Sequence, residues 1–381
     1  MSGALDGLKV LDMSRVLAAP LAAQILGDLG AEVLKVEQPD GDLSRRMGAS
    51  LREGEPSPFF TACNRNKRSL AIDFRSPKDL ETLRSLLAVA DVVIENYIVS
   101  SLKKYGLDYD SVREINPQLI YCSVTGYGQT GPFASQPGYD PVFQAETGIM
   151  SLTGEAAGPA TKSGIYVVDV MGGYNAVIGI LAALRQRELT GRGQHVDIGL
   201  FDCGLAALAT VGQTYLSTGV VPGRNGNAGL SGGPADLFEC TDGEIYLLAG
   251  MDLAFGKLCR ILGLDALTED ARYRTSALRF TNRSDLVPLL ANAIRPWTVD
   301  SLLEQLRDDA IPAGRVNSVA EALADDQAIA REMVIELPSG SRKALRMLAN
   351  PVRLSGTPVS YRHGAPALGE GGEDLVRQWL R

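Results

Sequence analysis

Histidine is scarce in this 381-residue chain, and its cysteines follow no pairing pattern. There are only two histidines, His195 and His363, which argues against zinc chemistry and against a histidine-based catalytic triad. The five cysteines lack CxxC spacing, so reduced thiols in a cytoplasmic protein are expected rather than a disulfide framework. Basic charge is not in excess either, because 45 acidic residues outnumber 37 basic ones. A nucleic-acid partner is therefore not expected, and any anionic ligand must be held by a local cluster of cations.

Common nucleotide-binding motifs are absent or wrongly placed. No GxxxxGK[ST] segment occurs, which excludes a Walker-type phosphate loop. A literal GxGxxG at residues 126–131 follows a predicted strand, but Pro132 and a loop-forming segment come next, where a dinucleotide site requires a helix. The first strand-to-helix turn, residues 14–19, contains no glycine. We therefore expect no NAD or flavin cofactor, and no metal.

The most membrane-like window, residues 165–184, contains a single ionisable group, Asp169. Its length could cross a bilayer, but Gly172, Gly173 and Asn175 fit poorly with a lone anchor, so we interpret it as a buried strand followed by a helix. The first residues of the sequence show no secretory signal. A soluble, cytoplasmic protein without a membrane partner is the resulting expectation.

Short apolar runs alternate with helical patterns through the first half of the chain. Strands are predicted at residues 8–12, 31–36, 69–73, 92–95, 119–124 and 195–198, and helices at 20–29, 77–90 and 172–187. Near-continuous apolar strands separated by helices indicate a parallel sheet covered on both faces. The predicted fold class is therefore α/β, with a doubly wound large domain over residues 1–218.

The rest of the chain predicts a second, smaller domain. Residues 219–236 are rich in glycine, proline and asparagine and are interpreted as a linker or lid. A hairpin turn at residues 241–243 and several helical patterns indicate a small α/β domain over residues 237–312. A C-terminal segment, residues 313–381, contains a helix, a further hairpin near residues 338–341 and a final helix.

The densest basic run, residues 64–68, precedes a predicted strand. On its own, such a run is usually a solvated loop. Arg75, Lys103 and Lys104 lie at the edge of the same predicted sheet, where open α/β sheets bind their ligands. A binding cluster for a polyanion such as a nucleotide is therefore the second interpretation.

Asp169 is the most informative single residue, because it is the only charge in a twenty-residue apolar stretch. Burial without a partner raises the pKa of a carboxyl group and is costly, so such acids usually serve a purpose. One interpretation is an N-cap for a helix that starts near Gly172. The other is a nucleophile towards an activated acyl group, and the two are compatible. The glycine-rich residues 226–233 likewise fit either a flexible linker or a lid whose backbone N–H groups stabilise an oxyanion.

Several short sequence motifs, spread in order along the chain, match those of one known family. They are LKVLD at 8–12, LGAEVLKVE at 29–37, NRNKRS at 64–69, ADVVIEN at 90–96, NP at 116–117, GYGQTGP at 126–132, GYD at 138–140 and TGRGQ at 190–194. Together they resemble the family III CoA-transferases, which include formyl-CoA transferase and carnitine CoA-transferase, with α-methylacyl-CoA racemase as a relative. The wording looks closest to the succinyl-CoA:dicarboxylate branch.

The resemblance implies a site and an assembly. The family's nucleophilic aspartate falls on Asp169, with Tyr139 and Asp140 in supporting positions and Gly232 and Gly233 in a glycine loop over the site. The implied coenzyme pocket comprises Val16, Leu17, Ala18, Gln38, Ile72, Asp73, Phe74, Arg75, Asn96, Tyr97, Lys104, Gln136, Pro137 and Gly138. The family fold is a Rossmann-like large domain, to which the C-terminal segment returns, plus a small α/β domain. Two chains interlock like rings, so a homodimer is implied.

The implied reaction is reversible transfer of CoA from an acyl-CoA, expected to be succinyl-CoA, to another carboxylic acid, expected to be a dicarboxylate. It passes through an Asp169 anhydride and an aspartyl-CoA thioester, with CoA as substrate and no tightly bound cofactor. Arg45, Arg46 or Arg224 could anchor a distal carboxylate. Two alternatives remain: an acyl-CoA racemase, which Tyr139 disfavours because racemase relatives carry a histidine there, and a non-catalytic CoA-binding protein.

Overall fold

The computed structural model describes residues 3–48, 57–229, 232–339 and 342–381. The chain divides into two compact units, the first formed by Met1–Ile149, Lys162–Val220 and Asp326–Arg381 and the second by Met150–Thr161 and Val221–Asp325. The second unit thus includes residues 150–161 and 313–325, which lie outside the predicted range of 237–312.

A six-stranded sheet forms the centre of the first unit. Its strands are β1 (Lys9–Asp12), β2 (Glu32–Glu37), β3 (Lys67–Ala71), β4 (Val92–Glu95), β5 (Ile120–Thr125) and β6 (His195–Gly199). Their order is β3-β2-β1-β4-β5-β6, and every neighbouring pair is parallel, which confirms the predicted parallel α/β sheet. Because the chain winds outward from β1 on one side and from β4 on the other, a crevice is expected at the carboxyl ends of these two strands.

Helices cover both faces of this sheet. The helices up to residue 220 are α1 (Ala18–Asp28), α2 (Pro58–Thr61), α3 (Pro77–Val89), α4 (Tyr109–Ile115), α5 (Asp140–Glu146), α6 (Ile149–Leu152), α7 (Val167–Thr190), α8 (Leu200–Ala206) and α9 (Ala209–Thr218), with short 3₁₀ turns at Leu43–Arg46 and Lys103–Tyr105. Of these, α6 belongs largely to the second unit. Alternate side chains of each strand enter opposite cores. On β1, for example, Val10 packs into the core beneath α1 and α7, while Leu11 packs into the core beneath α3.

α7 begins at Val167, five residues before the predicted start, so the strand predicted from the same apolar window is wrong. Ile165, which that strand would bury, is 65% exposed. By length and composition α7 is the one described helix that could cross a membrane, but core helices pass the same test. It packs against α1, α8 and strands β5 and β6, which is the arrangement of a core helix.

The second unit contains a three-stranded antiparallel sheet with its own hydrophobic core. Its elements are β7 (Ala235–Cys240), β8 (Gly243–Leu248), β9 (Ala313–Arg315), α10 (Asp252–Ile261), α11 (Ala266–Glu269), α12 (Ser276–Thr281), α13 (Arg283–Ile294), α14 (Val299–Asp308) and α15 (Val319–Ala324). Strands β7 and β8 form the hairpin predicted at residues 241–243.

The C-terminal segment of the first unit contains α16 (Asp326–Ala330), the antiparallel strands β10 (Val334–Ser339) and β11 (Arg342–Leu348), and α17 (Gly372–Trp379). The two strands match the hairpin predicted near residues 338–341, although Gly340 and Ser341 lie outside the described residues. α17 lies against β3 so closely that a Cβ atom on Gly372 would come within 2.1 Å of the Ser69 carbonyl oxygen.

Candidate active site

A cavity of about 260 Å³ opens at the carboxyl ends of β1, β4 and β5, where the strand order predicts a crevice. Its walls come from the turn after β1, the turn after β4, the end of β5 and the loop before α5. It brings together ten of the predicted site residues, namely Val16, Leu17, Ala18, Asn96, Tyr97, Gln136, Pro137, Gly138, Tyr139 and Asp169. No histidine is among the described residues that line it.

Asp169 is the third residue of α7 and is half-buried in the wall of this cavity. It is therefore not the N-cap, a position that Tyr166 occupies without a side-chain cap. The fully buried Asp140 does the capping: its Oδ2 atom accepts the backbone N–H of Val168 at 2.7 Å and that of Asp169 at 3.2 Å. Burial, and then the Asp140 charge, raise the pKa of Asp169 to about 7. The Asp169 carboxyl group is therefore poorly solvated and only partly ionised at neutral pH.

Two glycines bring α7 close enough to place Asp169 beside the turn after β1. A Cβ atom on Gly173 would lie 2.8 Å from the Ala18 carbonyl oxygen, and one on Gly172 would lie 2.4 Å from the side chain of Leu200. The Ala18 backbone cannot move aside, so position 173 requires glycine, whereas a larger residue at position 172 would displace the Leu200 side chain. The glycines that disfavoured a membrane anchor therefore form the contact between α7 and the cavity wall.

The turn after β1 carries a strained residue. Val16 has φ +71°, a conformation that β-branched residues adopt at a considerable energetic cost. Buried polar groups hold the turn from below: Lys35 Nζ donates to the Ser14 carbonyl at 2.8 Å, and Asp42 Oδ1 accepts the Val16 backbone N–H at 3.3 Å. Lys35 and Asp42 are themselves ion-paired at 3.0 Å. The shape of this cavity wall is thus maintained by a charge network and not by glycine.

The turn after β4 contacts the turn after β1 directly. The Asn96 side chain accepts the backbone N–H of Arg15 at 2.9 Å and donates to its carbonyl at 2.7 Å. The Arg15 guanidinium group lies 4.5 Å from the centre of the Tyr97 ring. Arg15 lines the cavity but was missed by sequence reasoning. Its position directly after the first strand and Ser14 was the available signal.

A second cavity, of about 560 Å³, shares Arg15 and Tyr97 with the first. Four further predicted residues line it: Gln38, Phe74, Arg75 and Lys104. The exposed Arg75 forms an ion pair of 2.9 Å with Asp73, which does not itself line either cavity. Ile72 is buried in the hydrophobic core and also lines neither cavity. Three cationic residues, Arg15, Arg75 and Lys104, thus line the second cavity together with one acidic residue, Asp40.

Close packing against Phe143 accounts for Gly138 in the loop before α5 and for Gly126, the first glycine of the GxGxxG sequence. A Cβ atom on Gly138 would come within 2.1 Å of the Phe143 ring, and one on Gly126 would lie 3.0 Å from the same ring. These glycines therefore allow close packing on Phe143, which is fully buried. The exposed Tyr139 follows directly and lines the cavity.

Both interpretations of the basic run at residues 64–68 are wrong for its central charges. Arg65 is buried and pairs with Asp28 at 2.5 Å, and Lys67 is fully buried and pairs with Asp12 at 2.8 Å. They are structural ion pairs, neither solvated nor free to bind a polyanion. Because β3 starts at Lys67, two residues before the predicted strand, the run also belongs partly to the sheet.

The three arginines considered for a distal carboxylate have other contacts. Arg45 makes two hydrogen bonds to the buried Glu37, at 2.6 and 2.7 Å. Arg224, in the second unit, donates to the carbonyl groups of residues 155 and 158. Arg46 is exposed and lies 4.0 Å from Asp40. None of the three lines the cavity that contains Asp169.

The glycine segment lies in the second unit, and its residues Leu230 and Ser231 are outside the described part of the chain. Gly232 has φ +80° and would meet Ser276 at 2.4 Å if it carried a Cβ atom. The Gly233 carbonyl accepts a 2.7 Å hydrogen bond from the buried Arg279. These contacts fix the backbone at the end of the segment. Among the described residues, no group of three or more His, Cys, Asp or Glu could hold a metal ion.

Known proteins resemble this chain over nearly its whole length. It is 40% identical over 372 residues to the succinate–glutarate CoA-transferase of Agrobacterium fabrum, which covers 96% of this chain and 93% of that protein. It is 35% identical to the succinyl-CoA:glutarate CoA-transferase of Homo sapiens, over 99% of this chain and 86% of the relative. A CAIB/BAIF family protein from Brucella suis has a solved structure that matches with a TM-score of 0.91, at 42% identity and 100% coverage of both chains.

The family model described as CoA-transferase family III matches residues 5–372. Its match spans the strands, the cavity and the C-terminal segment. With these similarities the chain belongs to CoA-transferase family III, and it is a CoA-transferase.

Proposed function

We propose that this enzyme transfers CoA reversibly between succinyl-CoA and a second dicarboxylate through covalent intermediates on Asp169. The observation that carries the proposal is the half-buried Asp169 carboxylate in the wall of a cavity at the carboxyl ends of the strands. The names of the relatives, a succinate–glutarate and a succinyl-CoA:glutarate CoA-transferase, support the choice of acids. A transfer assay with succinyl-CoA and glutarate, following glutaryl-CoA by chromatography, tests it.

The chemistry runs through two acyl exchanges. An Asp169 carboxylate oxygen attacks the thioester carbonyl carbon, the C–S bond breaks, and a mixed anhydride and CoA thiolate result. The thiolate attacks the aspartyl carbonyl, and the donor acid leaves as a carboxylate. The acceptor carboxylate attacks the aspartyl-CoA thioester and displaces the thiolate. The thiolate then attacks the acceptor carbonyl of the new anhydride, which forms the product acyl-CoA and releases the Asp169 carboxylate. One thioester forms as another breaks, so the balance requires no nucleotide hydrolysis.

The electrostatics of Asp169 suit a nucleophile. Its carboxylate is poorly solvated, so little hydration must be removed before attack, while its pKa of about 7 still leaves an ionised fraction at neutral pH. Asp140 supports it by binding the backbone at the start of α7, which directs the side chain without neutralising it. The oxyanion role that the resemblance implies for the backbone N–H groups of Gly232 and Gly233 stays a prediction, since both residues lie in the second unit.

The two cavities provide a path for the coenzyme. We place the thioester near Asp169 and the phosphate groups in the second cavity, beside Arg15, Arg75 and Lys104. The ring of Tyr97 borders both. The strand order is the one found in Rossmann-like nucleotide-binding sheets, which supports a Rossmann-like large domain and a ligand at this edge.

Removing a cation from the second cavity should weaken coenzyme binding. For Arg75→Ala and for Lys104→Ala we expect the KM for succinyl-CoA to rise about fivefold, with kcat unchanged. Arg377→Ala is a matched control, because Arg377 is an exposed arginine of α17 that pairs with Asp374. Steady-state kinetics at low ionic strength measure the effect. Unchanged KM values in both variants would remove the phosphate assignment.

We also propose a homodimer of interlocked chains. An apolar row on α7, formed by Tyr174, Ile178 and Leu181, is exposed in the single chain and has the spacing of one helix face. Leu216 on α9 is also exposed. Burial of this row against the partner chain of the dimer explains why its residues are apolar. A cytoplasmic location is part of the proposal, supported by five free, buried cysteines. Neither nucleic acid nor membrane is among the proposed partners.

A further inference from the structure

A third cavity, of about 300 Å³, contains a buried polar cluster that the transfer mechanism does not use. Glu95 on β4 and Ser123 on β5 face each other in register, and His195 is the first residue of β6. Ser123 Oγ lies 2.9 Å from His195 Nε2, and its hydroxyl, opposite Glu95 in the register, lowers the pKa of the Glu95 carboxyl group by hydrogen bonding. Glu95 and Ser123 are 4% and 1% exposed. Three side chains on adjacent strands therefore form one hydrogen-bonded row.

This row ends on a residue of the proposed coenzyme site. Glu95 Oε2 accepts the backbone N–H of Tyr97 at 2.8 Å. Tyr97 lines all three cavities, and its ring lies under the Arg15 guanidinium group. Between them, Asn96 fixes the backbone of Arg15 through two hydrogen bonds. The end of β4 thus connects the polar row to the turn after β1.

We propose that Glu95, Ser123 and His195 form a relay that positions Tyr97, and through it Arg15, for coenzyme binding. The relay acts through the Tyr97 backbone, so all three are positioning residues. The inference rests on the proposed coenzyme site for the identity of the ligand.

The hydrogen bonds of the row admit two arrangements, because the serine hydroxyl has one proton to donate. With Glu95 ionised, Ser123 donates to Glu95 and His195 Nε2–H donates to Ser123. With Glu95 protonated, its O–H donates to Ser123, which donates to His195 Nε2, and the imidazole proton sits on Nδ1. Ionised Glu95 accepts the Tyr97 N–H in a charge-assisted hydrogen bond. This bond is stronger than the one that protonated Glu95 accepts from the same N–H.

Burial and charged neighbours place the titration of Glu95 near neutral pH. Burial, followed by the Asp197 charge on β6, raises the pKa of Glu95 to about 7, against the hydrogen bonds from Ser123 and Tyr97 N–H. Burial lowers the pKa of His195, opposed by Asp197 and by Asp110 from α4, so the ring is neutral at pH 7 and above. His195 also stacks on Tyr109 at 4.8 Å. The further titratable and charged groups around the row are Tyr121, Asp108, Lys103, Arg15, Lys35 and Asp42.

The test measures CoA affinity by calorimetry between pH 5.5 and 8.5 in an Asp169→Asn background, which removes the other carboxyl group of raised pKa. We expect the Kd for CoA to rise about fivefold as pH falls through 7, and Glu95→Gln to abolish that part of the change. The titration of the CoA phosphate persists in both and is subtracted. Tyr121→Phe, which removes a cavity hydroxyl bonded to the Leu107 carbonyl, is the matched control and should keep the parent profile.

Ser123→Ala gives a second, independent test, should Glu95→Gln fold poorly. Because the Ser123 hydrogen bond lowers the pKa of Glu95, its loss should move the midpoint of the Kd transition to higher pH. An equal pH profile in Glu95→Gln and its parent, or an unmoved midpoint in Ser123→Ala, would overturn the relay. In enzyme with Asp169 intact, Glu95→Gln should raise KM with kcat held within about twofold. Absence of CoA binding by the parent at every pH would instead refute the coenzyme site itself.

Discussion

Replacing Asp169 by asparagine should reduce transfer from succinyl-CoA at least about 10³-fold and leave CoA affinity within about twofold. The substitution keeps the shape and the backbone contacts of Asp140 but removes the attacking oxygen charge. A wild-type rate limited by this carboxylate should also fall as pH drops through about 7, because only the ionised form attacks. Single-turnover transfer and calorimetric CoA binding measure the two effects separately.

The same variant should be more stable above neutral pH. The folded-state pKa of Asp169, about 7, lies above its ordinary value of 3.8, so the folded state loses stability as pH rises from about 4 to 7 and no more beyond it. Asparagine carries no such penalty. After allowance for its partial exposure, we expect a gain of about 1–2 kcal/mol in the free energy of unfolding at pH 8, vanishing towards pH 4.

Asp202→Asn is the matched control for both effects, since Asp202 is an exposed acid in the first turn of α8 and does not line the cavity. It should change neither transfer nor stability. Transfer by Asp169→Asn at more than a tenth of the wild-type rate would contradict the role of Asp169. An unchanged free energy of unfolding of Asp169→Asn at pH 8 would contradict the raised pKa of Asp169.

Lys67→Met should destabilise the fold by about 3 kcal/mol at pH 7. Lys67 is fully buried and donates to Asp12, Asn64 and the Pro20 carbonyl, each at 2.8 Å. Methionine retains most of the volume but leaves Asp12 buried, with Lys35 4.0 Å away as its remaining cation. Burial alone would raise the pKa of Asp12. The charges of Lys67 and Lys35 hold that pKa below its ordinary value, and the effect of Lys67 is the larger.

Urea denaturation measures this loss, with Lys78→Met, an exposed position on α3, as the control that should remain within about 0.5 kcal/mol of wild type. Adding Asp12→Asn to Lys67→Met should recover about 1–2 kcal/mol, because the uncompensated charge is then absent. If Lys67→Met alone is as stable as the wild type, the buried Lys67–Asp12 pair makes no net contribution to the free energy of unfolding.

The sequence predicted the sheet well because its strands are buried on both faces and therefore read as continuous apolar runs. Strand β4 lies where the pattern placed it, and β1, β2, β5 and β6 lie within one or two residues of prediction. The start of α7 was missed because Val167, Val168 and Val170 favour a strand by propensity, whereas the capping carboxylate comes from Asp140, 29 residues earlier than Asp169. Such non-local capping leaves no local pattern.

Charge was the least predictable property. Arg65 and Lys67 look like surface cations, but their partners Asp28 and Asp12 lie on distant segments, so pairing and burial could not be inferred from spacing. Arg15 was missed for the converse reason, because a single arginine after a strand is unremarkable until Asn96 and Tyr97 are seen to hold it. Asp169 could be singled out from the sequence, since an isolated charge in an apolar stretch is itself informative, and the structure places it in the cavity wall.

The central claim is that Asp169 becomes covalently linked to the acyl group and to CoA during transfer. Mass spectrometry of the intact protein and its peptides after incubation with succinyl-CoA, followed by hydroxylamine, tests it for wild type and Asp169→Ala. We predict a succinyl or CoA adduct on the Asp169 peptide, converted by hydroxylamine to an aspartyl hydroxamate and missing in the variant. An adduct on another residue, or none with any acyl-CoA although CoA binds, would contradict the account and favour a racemase or a non-catalytic CoA-binding protein.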